Sequence, residues 1–192
     1  LPYIEREEPI IVSQFTLKEV IRQTIFSIAD NDSNKLMTGE LFEINGDVLD
    51  QRIIDFINEE APDGLLRFEI GIQSTYEPTN KVVQRYQNFE RLCDVIRQLQ
   101  QNHKIDFHLD LIAGLPYEDI ESFAHSFNTV YALGPHQLQL GFLKVLKGSG
   151  ICQKQAEYGI VHTDKPPYEV LYTNWLSYDD VLRLKLVEDM VE

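Results

Sequence analysis

Cysteine is scarce in this chain. Cys93 and Cys152 are the only two among 192 residues, they lie far apart, and no Cys-x-x-Cys spacing occurs. That excludes a disulfide framework and a metal site built from these two alone. Cys93, in "RLCDVIRQL", sits at helical spacing among apolar residues and reads as a small buried hydrophobe. Long apolar runs are missing as well. None approaches the roughly 20 residues that cross a bilayer, and no signal-peptide pattern is present, so the cytoplasm is the expected compartment. Positive charge is in short supply: 17 Lys and Arg stand against 31 Asp and Glu, a net charge of −14. With no clustered basic patch, nucleic acid is not an expected partner. The surplus acid reads as solvated surface.

What is present is an alternation of strand-like and helical segments. "FTLKEVIRQTIFSIA" (15–29) has helical periodicity with Thr16 as a cap. A strand at 39–45, a helix at 48–60 and the turn "APDG" follow. Then come a strand at 65–74, helical "TNKVVQRYQ" (79–87), a helix at 89–102 and a strand at 105–112. A helix at 117–133, stopped by Gly134 and Pro135, leads to a strand at 137–148. The stretch 149–167 looks irregular, and 178–192 is helical. Strands that alternate with helices predict an α/β fold with parallel strands. The chain opens on Leu1 and closes at Glu192 within a helical pattern, which suggests a piece of something longer.

The strands share a peculiarity. Side chains alternate between the two faces of a strand. In "KIDFHLDLIAGLP", Asp106, His108 and Asp110 therefore face one way, and Phe107, Leu109 and Leu111 the other. Arg67, Glu69, Gly71 and Gln73 likewise oppose Phe68, Ile70 and Ile72; Glu43 and Asn45 oppose Phe42 and Ile44; Gln137, Gln139 and Gly141 oppose Leu138, Leu140 and Phe142. Parallel sheets usually bury both faces and read as continuous apolar runs. One polar face on every strand predicts a curved parallel sheet around a polar lumen, with ligands at the carboxyl ends of the strands, where Asn45, Gln73 and Gly114 fall. Asp106 and His108 have metal-pair spacing, but no third ligand is evident, and they read as structural.

"RFEIGIQS" and "HLDLIAGLP" together resemble the radical S-adenosylmethionine superfamily. The likeness is to its cobalamin-binding branch, especially the magnesium-protoporphyrin IX monomethyl ester oxidative cyclases. It runs over residues 39–150 and on into "PPYEVLYTNWLSYDDVLRLK", which looks like the start of a C-terminal region. It implies a partial (β/α)6 TIM-type barrel over 1–150, incomplete at its N-terminal side, with an irregular and then helical region over 151–192. It also implies S-adenosylmethionine and a [4Fe–4S] cluster as cofactors, cobalamin in a separate domain of the parent chain, and a small-molecule, tetrapyrrole-like class of substrate. Matched to the family's motifs, Glu43 and Asn45 of "FEINGD" (with Gly46 in place of proline), Gln73 and Ser74, Arg85 in the helix after them, Asp110, Gly114 and Leu143 are the implied S-adenosylmethionine contacts. Leu143 and Val145 would offer backbone and apolar surface to the adenine. Carboxylates accept from the cofactor's amine or hydroxyls, and a guanidinium grips its carboxylate.

Each of these residues also has an ordinary reading: Asp110 as a hydrogen-bonded buried polar group, Gln73 and Ser74 as turn groups, Asn45 as a helix cap, Arg85 as a solvated helix residue. The family's Cys-x-x-x-Cys-x-x-Cys loop is absent from these 192 residues, and four strands are legible where the barrel has six, with "PIIVSQF" (9–15) a further candidate. Omitted segments, an excised fragment or natural loss of the cluster each account for that. This chain alone is therefore not expected to turn over substrate. Two alternatives stand beside the radical enzyme: a cluster-free binding or scaffold module derived from the barrel, and an unrelated α/β enzyme binding phosphate at "KGSG" (147–150).

Overall fold

The computed structural model describes residues 40–43, 47, 49–64 and 66–191. The helix expected at 15–29, the strand candidate at 9–15 and Asn45 lie outside the described residues. Among the described residues, twelve elements follow one another: β1 (Glu40–Glu43), α1 (Gln51–Glu60), β2 (Leu66–Gln73), α2 (Glu77–Val82), α3 (Phe89–Gln100), β3 (Ile105–Ala113), α4 (Ile120–Tyr131), β4 (Gln137–Phe142), α5 (Gly150–Gln153), β5 (Val161–His162), β6 (Val170–Tyr172) and α6 (Tyr178–Val191). The first four strands form one sheet in the order β1-β2-β3-β4, with helices in each connection. β1 pairs parallel with β2, Phe42 in register with Phe68 and Glu43 with Glu69.

The alternation read from the sequence is the burial pattern of β2 and β4, and of β3 except at His108, which is buried. Leu66, Phe68, Ile70 and Ile72 of β2 are buried, as are Phe107, Leu109, Leu111 and Ala113 of β3 and Leu138, Leu140 and Phe142 of β4. Arg67, Glu69, Gly71 and Gln73 are half-buried, and Gln137 and Gln139 are exposed. Phe68 meets Phe107 edge to face at 6.0 Å.

The described chain divides into two compact units, and β2 and β3 each begin in one and end in the other. In the unit holding 87–108 and the chain before Gly71, α1 packs on α3. α1 starts at Gln51, later than the pattern suggested, because Asp50 is its N-cap and accepts from the Arg52 amide at 2.8 Å. α3 presents Leu92, Cys93, Val95, Ile96 and Leu99 as one buried stripe, so Cys93 is the buried hydrophobe expected. Burial raises its thiol pKa above the ordinary value, against a smaller opposing pull from Arg97.

In the unit holding 71–86 and 109–191, α4 opens at Ile120 behind a capping box formed by Asp119 and Ser122. β4 ends at Phe142, six residues short of the expected 148. The chain beyond it keeps extended pairing with a new partner: Val170 N–H donates to Leu143 O and Val145 N–H to Tyr168 O, both at 2.9 Å. The stretch 149–167, expected to be irregular, carries the short helix α5 and strand β5, which pairs antiparallel with β6. Trp175 lies against Tyr117 with centroids 4.5 Å apart and the rings tilted by 39°, and Tyr158 lies near both rings. Lys185 of α6 reaches Glu169 at 2.6 Å and sits over the Phe142 ring.

Candidate functional site

β2 ends in an uncommon corner. The Ser74 amide donates to Ile72 O at 2.9 Å, with Gln73 between them at φ +68°. A bond spanning two residues about a left-handed centre is the rare, strained form of the γ-turn. For a side chain as large as glutamine this backbone state has to be held by its surroundings. The turn folds the Gln73 side chain back over Gly71. A β-carbon at Gly71 would lie 2.9 Å from Gln73 Nε2 and 3.6 Å from Arg85 Nη2. Gly71 is thus the floor of a small polar cradle whose walls are an amide and a guanidinium.

Arg85 reaches the cradle by a route that differs from the sequence reading. It lies beyond the helix instead of within it. α2 ends at Val82, and Gln84 takes φ +56°. The Arg85 amide donates to Asn80 O at 2.8 Å and the Gln84 amide to Lys81 O at 3.3 Å. These two bonds make a Schellman motif with glutamine at the position usually held by glycine. The reversal returns the chain toward β2, where Arg85 Nη2 donates to Gly71 O.

The other predicted residues fall as follows. Glu43 ends β1 in register with Glu69. Asp110 is half-buried on the polar side of β3. Gly114 has φ +86°, and a β-carbon there would come 2.7 Å from Val170 Cγ1, so the close approach it permits is to a side chain of β6. Leu143 is buried, its N–H donates to Ala113 O and its carbonyl accepts from Val170, so both backbone groups are engaged in the fold. Ser74 is 2% exposed; its hydroxyl accepts from the Tyr76 amide and donates to Glu118 Oε1 at 2.6 Å. Gln73 and Arg85 are brought together over Gly71, whereas Ser74 turns inward.

On the same polar face of the sheet, Arg67 Nη2 lies 2.9 Å from His108 Nδ1. A guanidinium can only donate, so Nδ1 is the acceptor of this pair. Glu69 stands 3.8 Å from both partners. His108 is therefore held by Arg67, and Asp106 is exposed. No group of three or more His, Cys, Asp or Glu side chains suited to a metal occurs among the described residues.

Glu118 escaped the sequence reading. It is 1% exposed, and its Oε1 accepts from Ser74 and from Ser126 (3.1 Å), while Oε2 is buried without a hydrogen-bond partner. Burial raises its pKa from 4.5 to about 7 against the opposing effect of the two hydroxyls. In the sequence it is one of two adjacent acids before a helix, where acids are common anyway. Nothing in "YEDIES" marks which of them turns inward.

Comparison with known proteins sets this geometry in context. Residues 156–192 match a family described as a protein of unknown function, DUF4080. The chain is 24% identical over 166 residues, 86% of its length, to the uncharacterized protein YtqA of Bacillus subtilis, and covers 46% of that protein. It is 30% identical over 98 residues, 51% of its length, to the oxygen-independent coproporphyrinogen III oxidase of Cereibacter sphaeroides, of which it covers 21%. Among solved structures it resembles coproporphyrinogen III oxidase (HemN) from Escherichia coli, a radical SAM enzyme. The TM-score there is 0.62 at 18% identity, over 92% of this chain and 36% of that one. It also resembles the radical S-adenosylmethionine methyltransferase TsrM from Kitasatospora setae, solved with cobalamin and a [4Fe–4S] cluster bound, with TM-score 0.54 at 15% identity over 80% of this chain and 31% of that one. The chain spans less than half the length of each of these relatives. Its structural neighbours are radical SAM enzymes, and the described residues form a mixed α/β structure with their fold.

Proposed function

We propose that this chain is the S-adenosylmethionine-binding part of a radical S-adenosylmethionine enzyme, folded as an incomplete (β/α)6 barrel whose lumen is the polar face of the sheet. The observation that carries the reading is the cradle at the end of β2. There a glycine, a strained glutamine and a guanidinium converge at the carboxyl end of a strand, where ligands of such folds bind. The donor set suits the cofactor. Arg85 would pair with its carboxylate, Gln73 would bond its polar groups, and a carboxylate such as Asp110 would accept from its amine or ribose hydroxyls. Gly71 leaves room for the backbone to be approached closely. Ser74 braces the corner from inside the fold, Gly114 packs against Val170, and Leu143 would supply apolar surface.

When bound, the cofactor supplies radical chemistry; the residues of this chain bind and orient it. A [4Fe–4S] cluster does not fit the residues of this sequence, which offers two cysteines in all, so its ligands would belong to other parts of the parent protein. We place that parent in the cobalamin-binding branch, in the cytoplasm, acting on a small, tetrapyrrole-like molecule. The likeness to TsrM supports the cobalamin assignment and the likeness to coproporphyrinogen oxidase supports the substrate class. The two-cysteine composition favours a second reading, a cluster-free module that binds S-adenosylmethionine or a similar molecule.

Titration calorimetry of the purified chain with S-adenosylmethionine tests the site. Binding is expected, weakened about tenfold or more in Arg85→Ala and Gly71→Ala, a loss of about 1.4 kcal/mol. A folded chain that binds no S-adenosylmethionine, or variants that bind it as well as the native chain, would remove the proposal. Full binding together with catalytic competence for some non-radical reaction would favour the cluster-free module.

A further inference from the structure

We infer that Glu118 is the positioning residue of the Gln73 corner: its carboxyl group ties the end of β2 to α4 through Ser74 and Ser126, and so holds Gln73 in its strained turn. The ties are specific. Glu118 Oε1 accepts from Ser74 Oγ at 2.6 Å and from Ser126 Oγ at 3.1 Å. Ser74 Oγ in turn accepts from the Tyr76 amide at 2.9 Å. Ser126 Oγ accepts from the Thr75 amide at 3.2 Å and, its own proton being committed to Glu118, from Thr75 Oγ1 at 2.9 Å. Every polar group of residues 74–76 that these bonds engage is thus referred to one buried carboxyl. A left-handed glutamine persists only where its neighbours over-determine it, and this network lies directly after it.

The hold depends on a proton. Oε2 is buried with no hydrogen-bond partner, so a proton there breaks no bond, whereas a charge there would be stranded away from water. The groups bonded to the carboxyl from the turn after β2 and from α4 are Ser74 and Ser126, both uncharged, with Thr75 bonded to Ser126 behind them. Among the described residues the carboxyl's charged neighbour is Asp119, whose carboxylate caps α4 and disfavours a second charge beside it. The neutral acid is therefore the form that keeps the corner closed, and its loss above neutral pH loosens residues 73–76.

Amide hydrogen exchange of the whole chain, read by NMR, tests this without any ligand. Glu118→Ala is expected to speed exchange of the Thr75 and Tyr76 amides about tenfold or more and to leave Leu109 and Leu111 unchanged. Glu118→Gln, which keeps the shared acceptor and cannot ionise, should stay within about twofold of the native chain near pH 6. Between about pH 6 and pH 8, after correction for intrinsic exchange, protection at these two amides should fall in the native chain and not in Glu118→Gln. Unchanged protection in Glu118→Ala, or an equal pH response in the native chain and Glu118→Gln, would overturn the inference. If Glu118→Ala does not fold, Ser126→Ala, which removes one tie, is expected to raise exchange at Thr75 with the core unaffected, and a flat response there would overturn it equally. The consequence for function rests on the cofactor reading above. S-adenosylmethionine affinity should drop about tenfold in Glu118→Ala and recover in Glu118→Gln. A native chain that binds no cofactor but shows the exchange pattern would cost the cofactor reading and leave the positioning role standing.

Discussion

A β-carbon on Gly114 would meet Val170 Cγ1 at 2.7 Å, and its φ of +86° disfavours any side chain. Gly114→Ala is therefore expected to destabilise the chain by about 2–3 kcal/mol, from backbone strain and overpacking together, as read from the denaturant midpoint. Gly71 is the contrasting case, because its nearest neighbours are the ends of flexible Gln73 and Arg85 side chains. Its alanine variant should stay folded and lose ligand affinity. Sequence alternation was enough to place Gln73 on the polar face with Gly71. The turn that aims it was not legible, because a left-handed glutamine leaves no mark in the sequence. Ser74 was read as a ligand contact or a turn group, and its hydroxyl is spent inside the fold on Glu118. The partner was hidden because its carboxyl comes from a different stretch of chain, 44 residues on.

The elements were easiest to read where a long apolar stripe met a good cap, as in α3 behind Asn88 and α4 behind Asp119. α2 was misread because its stop signal is a glutamine. With Gln84 at φ +56°, the usual glycine is missing, and the helical pattern of "VVQRYQ" runs on past the true end. Gln84→Gly should relieve that strain and raise stability by about 0.5–1 kcal/mol, measurable as a higher melting temperature, with the Schellman bonds intact. Arg85 should keep its place over Gly71 in that variant. β5 and β6, at two and three residues, are too short to carry a periodic signal. They pair with each other, and the chain at 168–170 also finds partners in residues 143–145, pairings set by tertiary contact.

For the molecule as a whole, Glu118 couples folding to pH. Its pKa is raised from 4.5 to about 7 by burial, so the folded state keeps a proton that the unfolded chain releases. The stabilisation is complete below about pH 4.5 and is lost as pH rises through about 7, up to about 3 kcal/mol in all. Urea titrations from mildly acidic to mildly alkaline pH should show that decline, and Glu118→Gln should flatten it. A native chain as stable at alkaline pH as at acidic pH would contradict the burial seen here. At this scale the sequence was informative about class: alternating strands and helices, one polar face, and no helix among the described residues long and apolar enough to cross a membrane. Trp175 has a practical consequence at the same scale. It is the single tryptophan of the sequence, in contact with Tyr117, the residue just before Glu118, with Tyr158 close by. Light absorbed by either tyrosine is therefore passed to one emitter beside the Glu118 turn. The molecule carries its own optical gauge, whose tyrosine-sensitised glow dims when Tyr117 swings away and whose colour shifts red as water reaches the indole.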